Sequence, residues 1–137
     1  MSQQRFKLKV EDDDFCFVCG DKNESGIHAD FTVNDDNTAT TKLVIPSRFQ
    51  GWKGIVHGGI ISTLLDEVSI YACRKITLKG VTAEMNVKFK KSVPTGKEIT
   101  LQSKVIEIKR KLIFVHADLL IDGEVYATAE TKVFNLE

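Results

Sequence analysis

In Gly58-Gly59-Ile60-Ile61-Ser62-Thr63-Leu64-Leu65-Asp66-Glu67-Val68-Ser69-Ile70-Tyr71-Ala72 the chain changes its period. Ile60, Ile61, Leu64, Leu65, Val68, Tyr71 and Ala72 recur at spacings of three and four, which predicts one long helix from Gly58 to about Ile76 with a broad apolar face. On both sides of it the period is two. Upstream, Ile27, Ala29, Phe31 and Val33 alternate with polar neighbours. Asp35-Asp36-Asn37 then offers turn chemistry, and Ala39, Thr41, Leu43 and Ile45 alternate again, as in a hairpin. Downstream, Val81, Ala83, Met85, Val87 and Phe89 form one alternating run. Ile99, Leu101, Ser103 and Val105 begin another, in which the adjacent Val105-Ile106 signals a bulge. Ile113, Val115, Ala117, Leu119 and Ile121 lead into Asp122-Gly123, and Val125, Ala127, Ala129, Thr131 and Val133 lead out, a strong hairpin pattern. Two strands, one helix and four strands follow in that order. A lone helix that is apolar over much of its surface needs a sheet curved around it, so the class is α+β, an antiparallel sheet wrapping one central helix.

The 137 residues include 42% hydrophobic and 28% charged side chains, enough for one core but marginal for two. A single domain over 1–137 is expected, with about 1–26 as an acidic lead-in. Prolines are confined to Pro46 and Pro94, both at strand ends. The sequence holds no apolar run of about 18 residues, and Met1–Lys7 has no apolar leader region, so neither a membrane span nor secretion is expected and the cytoplasm is the default. The 19 basic and 19 acidic residues cancel, which argues against a nucleic-acid partner. The charge is nevertheless uneven. Nine acidic residues and Lys22 lie between Glu11 and Asp36, whereas eleven basic residues and three acidic ones lie between Arg74 and Lys111. Two solvated faces would account for that, as would a basic rim receiving a phosphorylated ligand.

Cys16, Cys19 and Cys73 are too few for a disulfide framework. Cys16 and Cys19 form a C-x-x-C, but zinc usually takes four ligands and no second pair follows, leaving His28 and Cys73 to complete a set only if folding happens to bring them in. No metal or cofactor is expected, and the cysteines read as structural thiols at the start of the fold.

Chemistry concentrates where the helix begins. Gly54-Ile55-Val56-His57-Gly58-Gly59 runs straight into it, and the glycines leave backbone N–H groups uncovered by side chains. First-turn amides have no intrahelical acceptor and sit at the positive end of the helix dipole, so such a place suits a carbonyl oxygen or an oxyanion. The same residues also fit a purely structural role, with glycines allowing close packing and His57 acting as a cap. Along the helix, Gly59, Ser62, Asp66, Ser69 and Cys73 share a small, polar stripe with one carboxylate at its centre. A carboxylate in such a place needs hydrogen bonds or a task. Capping a loop or pairing with a lysine would also account for Asp66.

The run Phe49-Gln50-Gly51-Trp52-Lys53-Gly54-Ile55-Val56-His57-Gly58-Gly59-Ile60-Ile61-Ser62-Thr63-Leu64-Leu65-Asp66 resembles the signature of the hotdog-fold acyl-CoA thioesterases. It is most similar to the group that includes the phenylacetate-pathway thioesterase and the human thioesterase superfamily members. Cys16-Phe17-Val18-Cys19-Gly20 followed by Gly26-Ile27-His28 resembles a lead-in common in that group. The resemblance implies a hotdog fold over nearly the whole chain. It implies that the His57-Gly58 turn polarises a thioester carbonyl through a backbone N–H, and that Asp66 is the general base or nucleophile. Thr82 matches a Ser/Thr position that helps hold the attacking water. Several relatives carry Asn or Gln six residues before the His as a second carbonyl donor; here that position is Gly51, and the neighbouring Gln50 is the candidate.

Gly58 and Asp66 are eight residues apart, about 12 Å along a helix. One chain cannot bring both to a single carbonyl, so two antiparallel helices from two subunits are expected to share the work. The resemblance implies the same: a homodimer at minimum, often paired into a homotetramer. Leu112, Phe114 and Leu120, opposite the core positions of their strand, point the same way. The expected substrate is an acyl-CoA, hydrolysed with water as acceptor, the groove being lined by Gln50, Gly59, Ser62 and Ser69. Lys88, Lys90 or a partner-chain residue such as Arg110 would contact its phosphates. A non-catalytic acyl-CoA or lipid-binding hotdog module is the alternative, and a dehydratase a weaker one.

Overall fold

The computed structural model describes residues 8–137; the leader reading of Met1–Lys7 lies outside the described residues. The elements are β1 (Thr32–Val33), β2 (Thr38–Val44), a 3-10 turn at Ser47–Phe49, helix α1 (Gly58–Ala72), β3 (Gly80–Phe89), β4 (Glu98–Lys109), β5 (Leu112–Ile121) and β6 (Glu124–Asn135). The six strands form one sheet in the order β1-β2-β4-β5-β6-β3, with every neighbouring pair antiparallel. Helix α1 packs against β2 through β6, so the sheet wraps the helix as the sequence pattern predicts.

The core is where the two periods meet. Ile61, Leu64, Leu65, Val68 and Ala72 on the helix are buried against Leu101, Val115, Ala117, Leu119, Ala129 and Val133 on the strands. Burial of each large aliphatic side chain contributes about 1.5–3 kcal/mol, so this contact carries much of the stability of a fold this size. Polar groups within it are satisfied: the Ser103 hydroxyl donates to the Val68 carbonyl at 2.6 Å, tying β4 to the helix. Among the described residues, no helix is long and apolar enough to cross a membrane.

The β5–β6 hairpin turns on Asp122 and Gly123 with φ of 50° and 80°, the left-handed pair that a type I′ turn requires. The bulge signalled at Val105-Ile106 is present, since the β4–β5 register steps between Val105 and Glu107.

Two element bounds differ from the sequence reading. Helix α1 ends at Ala72 rather than near Ile76, because Cys73 caps it and the amides of Ile76 and Thr77 both turn back to the Cys73 carbonyl. The first strand shrinks to Thr32–Val33. The Ile27 and Ala29 amides are already taken by the Phe17 and Val18 carbonyls, and His28 between them has a left-handed φ of 58°, which breaks the extended run.

Candidate active site

Loop 50–57 delivers the chain to the helix. An isolated bridge between Gln50 and Val56 closes it, and the Val56 amide donates to Val93 at 2.8 Å. His57 is the N-cap. Its Nδ1 accepts the Gly59 N–H at 2.9 Å, and its carbonyl accepts from Ile60 and Ile61. The cap reading of His57 is therefore correct for the side chain, and Gly59 has no N–H left for a ligand. Among the described residues the Gly58 N–H has no acceptor, and Gly58 is exposed at the positive end of the dipole. Of the two glycine amides, this is the one available to a carbonyl oxygen.

Eight residues further on, half-buried Asp66 faces β3, where the Thr82 hydroxyl donates to its Oδ1. The β3–β6 register steps between Thr82 and Glu84, an irregularity of the kind that re-aims side chains. Burial raises the Asp66 pKa above the ordinary carboxylate value, and the Thr82 hydrogen bond partly offsets that. The result is a carboxylate whose affinity for a proton is closer to what a general base at neutral pH needs.

Strand β3 runs alongside the helix in the opposite sense. Its Thr82 end meets Asp66, and the Phe89 ring at its other end stands 3.7 Å from the position a Cβ on Gly58 would take. Phe89, missed in the sequence reading, is half exposed beside the free amide; its inward place in the Val81–Phe89 alternation was the available signal. Gln50 lines a cleft of about 510 Å³ with Gly51, Trp52, Val56, His57 and Gly58. Its Oε1 accepts the Gly54 N–H at 3.0 Å, which leaves the NH₂ end as a donor in the cleft that Gly58 also lines.

The remaining expected residues are more scattered. Ser62 bonds back to the Gly58 carbonyl at 3.0 Å and stays near the helix start. Ser69 does not belong to the groove: it is fully buried, donates to the Leu65 carbonyl at 2.7 Å and lies against Thr131 of β6. Three residues of helix rotate it about 60° from Asp66, and the sheet encloses the second half of the helix. Lys88 and Lys90 are exposed on the outer face of the sheet, lining a shallow depression with Asn86, His116 and Glu130. Arg110 occupies the β4–β5 turn with φ 55°, at the opposite end of the sheet, because Leu112 pairs with Phe134 and Phe134 with Val81. Seven strand residues separate Val81 from Lys88, about 23 Å. Within one chain these cations do not converge.

The outer face of β5 is also less apolar than its sequence suggests. His116 sits between Asp118 and Glu130, and the Phe114 ring has the ammonium groups of Lys109 and Lys132 at 5.9 and 5.7 Å. Burial works against the His116 charge, but Glu130 and Asp118 together raise its pKa.

Comparison with known proteins identifies the family and the fold. Residues 53–128, more than half of the chain, match the family described as the thioesterase superfamily. The acyl-coenzyme A thioesterase THEM4 of Mus musculus is 31% identical over 86 residues, covering 62% of this chain and 37% of that protein. Acyl-coenzyme A thioesterase 13 of Mus musculus is 31% identical over 68 residues, 48% of this chain and 49% of that one. The chain thus spans half or less of the length of these relatives. Among solved structures, the thioesterase superfamily protein RHA08564 superposes with a TM-score of 0.82 at 24% identity, covering 88% of this chain and 60% of that one. The likeness shows the fold, a hotdog: one antiparallel sheet around one long helix.

Proposed function

The chain belongs to the thioesterase superfamily, and from that membership we propose that it hydrolyses acyl-CoA thioesters to a free acid and CoA. The observation that carries the proposal is the pair of groups at the start and the middle of one helix: the free Gly58 N–H and the Thr82-held Asp66 carboxylate. The acyl-coenzyme A thioesterases among the relatives support the substrate class.

In the proposed reaction the Gly58 N–H, with the NH₂ of Gln50 from the same cleft, donates to the thioester carbonyl oxygen and stabilises the negative charge that develops on it. Asp66 takes a proton from a water held with Thr82, and that water attacks the carbonyl carbon. The C–S bond breaks, the thiolate of CoA leaves and is protonated, and the acyl group departs as the free acid. A carboxylate at Asp66 contributes nothing to merely holding a neutral thioester, which favours hydrolysis over a non-catalytic binding module.

The two groups act in one site only if they come from different chains. Strand β3 is one edge of the sheet, ten residues long where the other edge, β1, has two, with apolar Val81, Met85 and Val87. We propose that two copies join β3 to β3 about a two-fold axis. Their helices then run antiparallel, with Gly58 of each beside the partner's Asp66, giving two equivalent sites. The same axis brings the Lys88–Lys90 end of one sheet toward the partner's Arg110, where the phosphates of CoA would lie. A further face-to-face pairing into a tetramer would cover the His116–Asp118–Glu130 cluster. The cytoplasm is the proposed compartment. The test is a panel of acyl-CoAs assayed for released thiol, with Asp66→Ala alongside. Release that depends on Asp66 supports the proposal, and binding without thiol release from any member of the panel overturns it.

A further inference from the structure

The lead-in brings three metal-ligating side chains together. The Sγ atoms of Cys16 and Cys19 and a carboxylate oxygen of Glu67 all lie within 4.8 Å of one another. Cys16 Sγ reaches Glu67 Oε2 at 3.0 Å across 51 residues of sequence, joining the N-terminal segment to the middle of α1. The ligands suggested by sequence are elsewhere: Cys73 is buried and bonds the Ser69 carbonyl, and the His28 Nε2 is engaged with the Asn23 carbonyl at 2.6 Å. Glu67 escaped notice because nothing local links it to the cysteines.

The turn itself is formed as a thiolate holder. The Val18 N–H points to Cys16 Sγ at 3.4 Å, and the Gly20 N–H donates to the Cys16 carbonyl at 2.9 Å. A Cβ on Gly20 would come within 2.3 Å of the Cys16 nitrogen, so this closure needs glycine. Backbone N–H groups directed at sulfur stabilise its negative charge, as outer-shell donors do around metal-bound ligands. Arg74 is close by. Its guanidinium lies 4.5 Å over the Tyr71 ring, and among the described residues its Nε has no hydrogen-bond partner. Arg74 lines a cavity of about 1120 Å³ with Cys16, Cys19, Glu67, Leu78 and Lys79, which opens a path from solvent to the sulfurs.

We infer that Cys16, Cys19 and Glu67 bind a thiophilic divalent cation of the zinc type, clamping the lead-in onto the central helix. Two sulfurs spaced C-x-x-C and one carboxylate are ligands that Zn²⁺ takes in tetrahedral sites, with water completing the fourth position. Donors in such a site stand about 3.5–3.8 Å apart, so on binding Cys16 Sγ and Glu67 Oε2 open by about half an ångström from their 3.0 Å contact, and Cys19 Sγ, within 4.8 Å of both, needs only a small shift. Cys16 and Cys19 each give up a thiol proton to solvent, and the S–H···O bond from Cys16 to Glu67 is replaced by two bonds to the metal. Two thiolates and a carboxylate against a dication leave one negative charge, which the Arg74 guanidinium offsets.

The experiment uses the untagged full chain, reduced, stripped with chelator and titrated with Co²⁺ and then Zn²⁺. A sulfur-to-cobalt charge-transfer band saturating at one equivalent per chain, bleached by Zn²⁺, is expected, together with a rise in Tm on adding Zn²⁺. Cys16→Ser should abolish the band, Glu67→Gln should weaken affinity by about tenfold or more, and Cys73→Ser should change neither. Circular dichroism establishes that each variant is folded, and the titration of the unaltered chain stands even where Cys16→Ser does not fold. A reduced chain giving no charge-transfer band, or a Glu67→Gln chain binding as tightly as the parent, overturns the site.

Discussion

The Thr82 hydroxyl donates to the Asp66 carboxylate, across the gap between β3 and the central helix. It holds one carboxylate oxygen toward the strand and leaves the other for a water. It also opposes the effect of burial on the Asp66 proton, so strand and helix together set where the carboxyl titrates.

Removing the base is the first consequence. Asp66→Asn and Asp66→Ala are expected to lower thiol release from the best acyl-CoA by at least about a hundredfold. The fold should persist, since Asp66 is only half-buried and the buried helix positions are untouched. Near-parental turnover in either variant removes Asp66 from the mechanism.

The same substitution bears on stability. Because the folded chain binds the Asp66 proton more tightly than the unfolded chain does, the native state gains from protonation. Its contribution is fully present below the ordinary carboxylate value of about 3.9 and is lost as pH rises through the raised folded value. At neutral pH, Asp66→Asn should therefore raise Tm, by an amount on the order of a few degrees, and the gain should vanish in acid. Thermal melts at several pH values check this, and a lower Tm for the variant at neutral pH contradicts it.

Thr82→Val removes the one hydrogen bond that lowers the Asp66 pKa. The acid limb of kcat/KM should move to higher pH, with a fall in kcat. If the limb stays in place or moves to lower pH, Thr82 has no part in tuning the base.

His57→Ala separates capping from catalysis. Loss of the Nδ1 acceptor costs about 1 kcal/mol of stability, visible as a lower Tm. The Gly58 N–H is untouched, so kcat should remain within about tenfold of the parent. A loss as large as that of Asp66→Ala would mean that the imidazole itself takes part.

Much of the fold was legible because burial imposes a period, and the helix and the strand hairpins obey it. Pattern failed where a backbone amide had a partner that periodicity does not encode. Ile27 and Ala29 alternate like a strand but bond the Phe17 and Val18 carbonyls. Of the site, Gly58 and Asp66 stand out as residue types, whereas the removal of Gly59 by the His57 ring and of Ser69 by the core depends on packing. The spread of Lys88, Lys90 and Arg110 follows from strand order, which composition does not carry.

The proposed cross-subunit site is open to complementation. Chains bearing Asp66→Ala, mixed with chains in which Gly58→Leu crowds the amide against Phe89, should regain one working site per mixed dimer. Verified mixed dimers that stay silent, or a verified monomer that is active, rule out the shared arrangement.

If two copies join at the open edge of β3 as proposed, activity becomes a matter of mass action. A chain whose groups are completed by its twin has a specific activity that depends on its own concentration: diluted below the dissociation constant of the pair, each molecule falls idle. The bare strand exposed by that dilution is also an adhesive surface. Expression level would then set the output of this protein more steeply than in proportion to the number of molecules made.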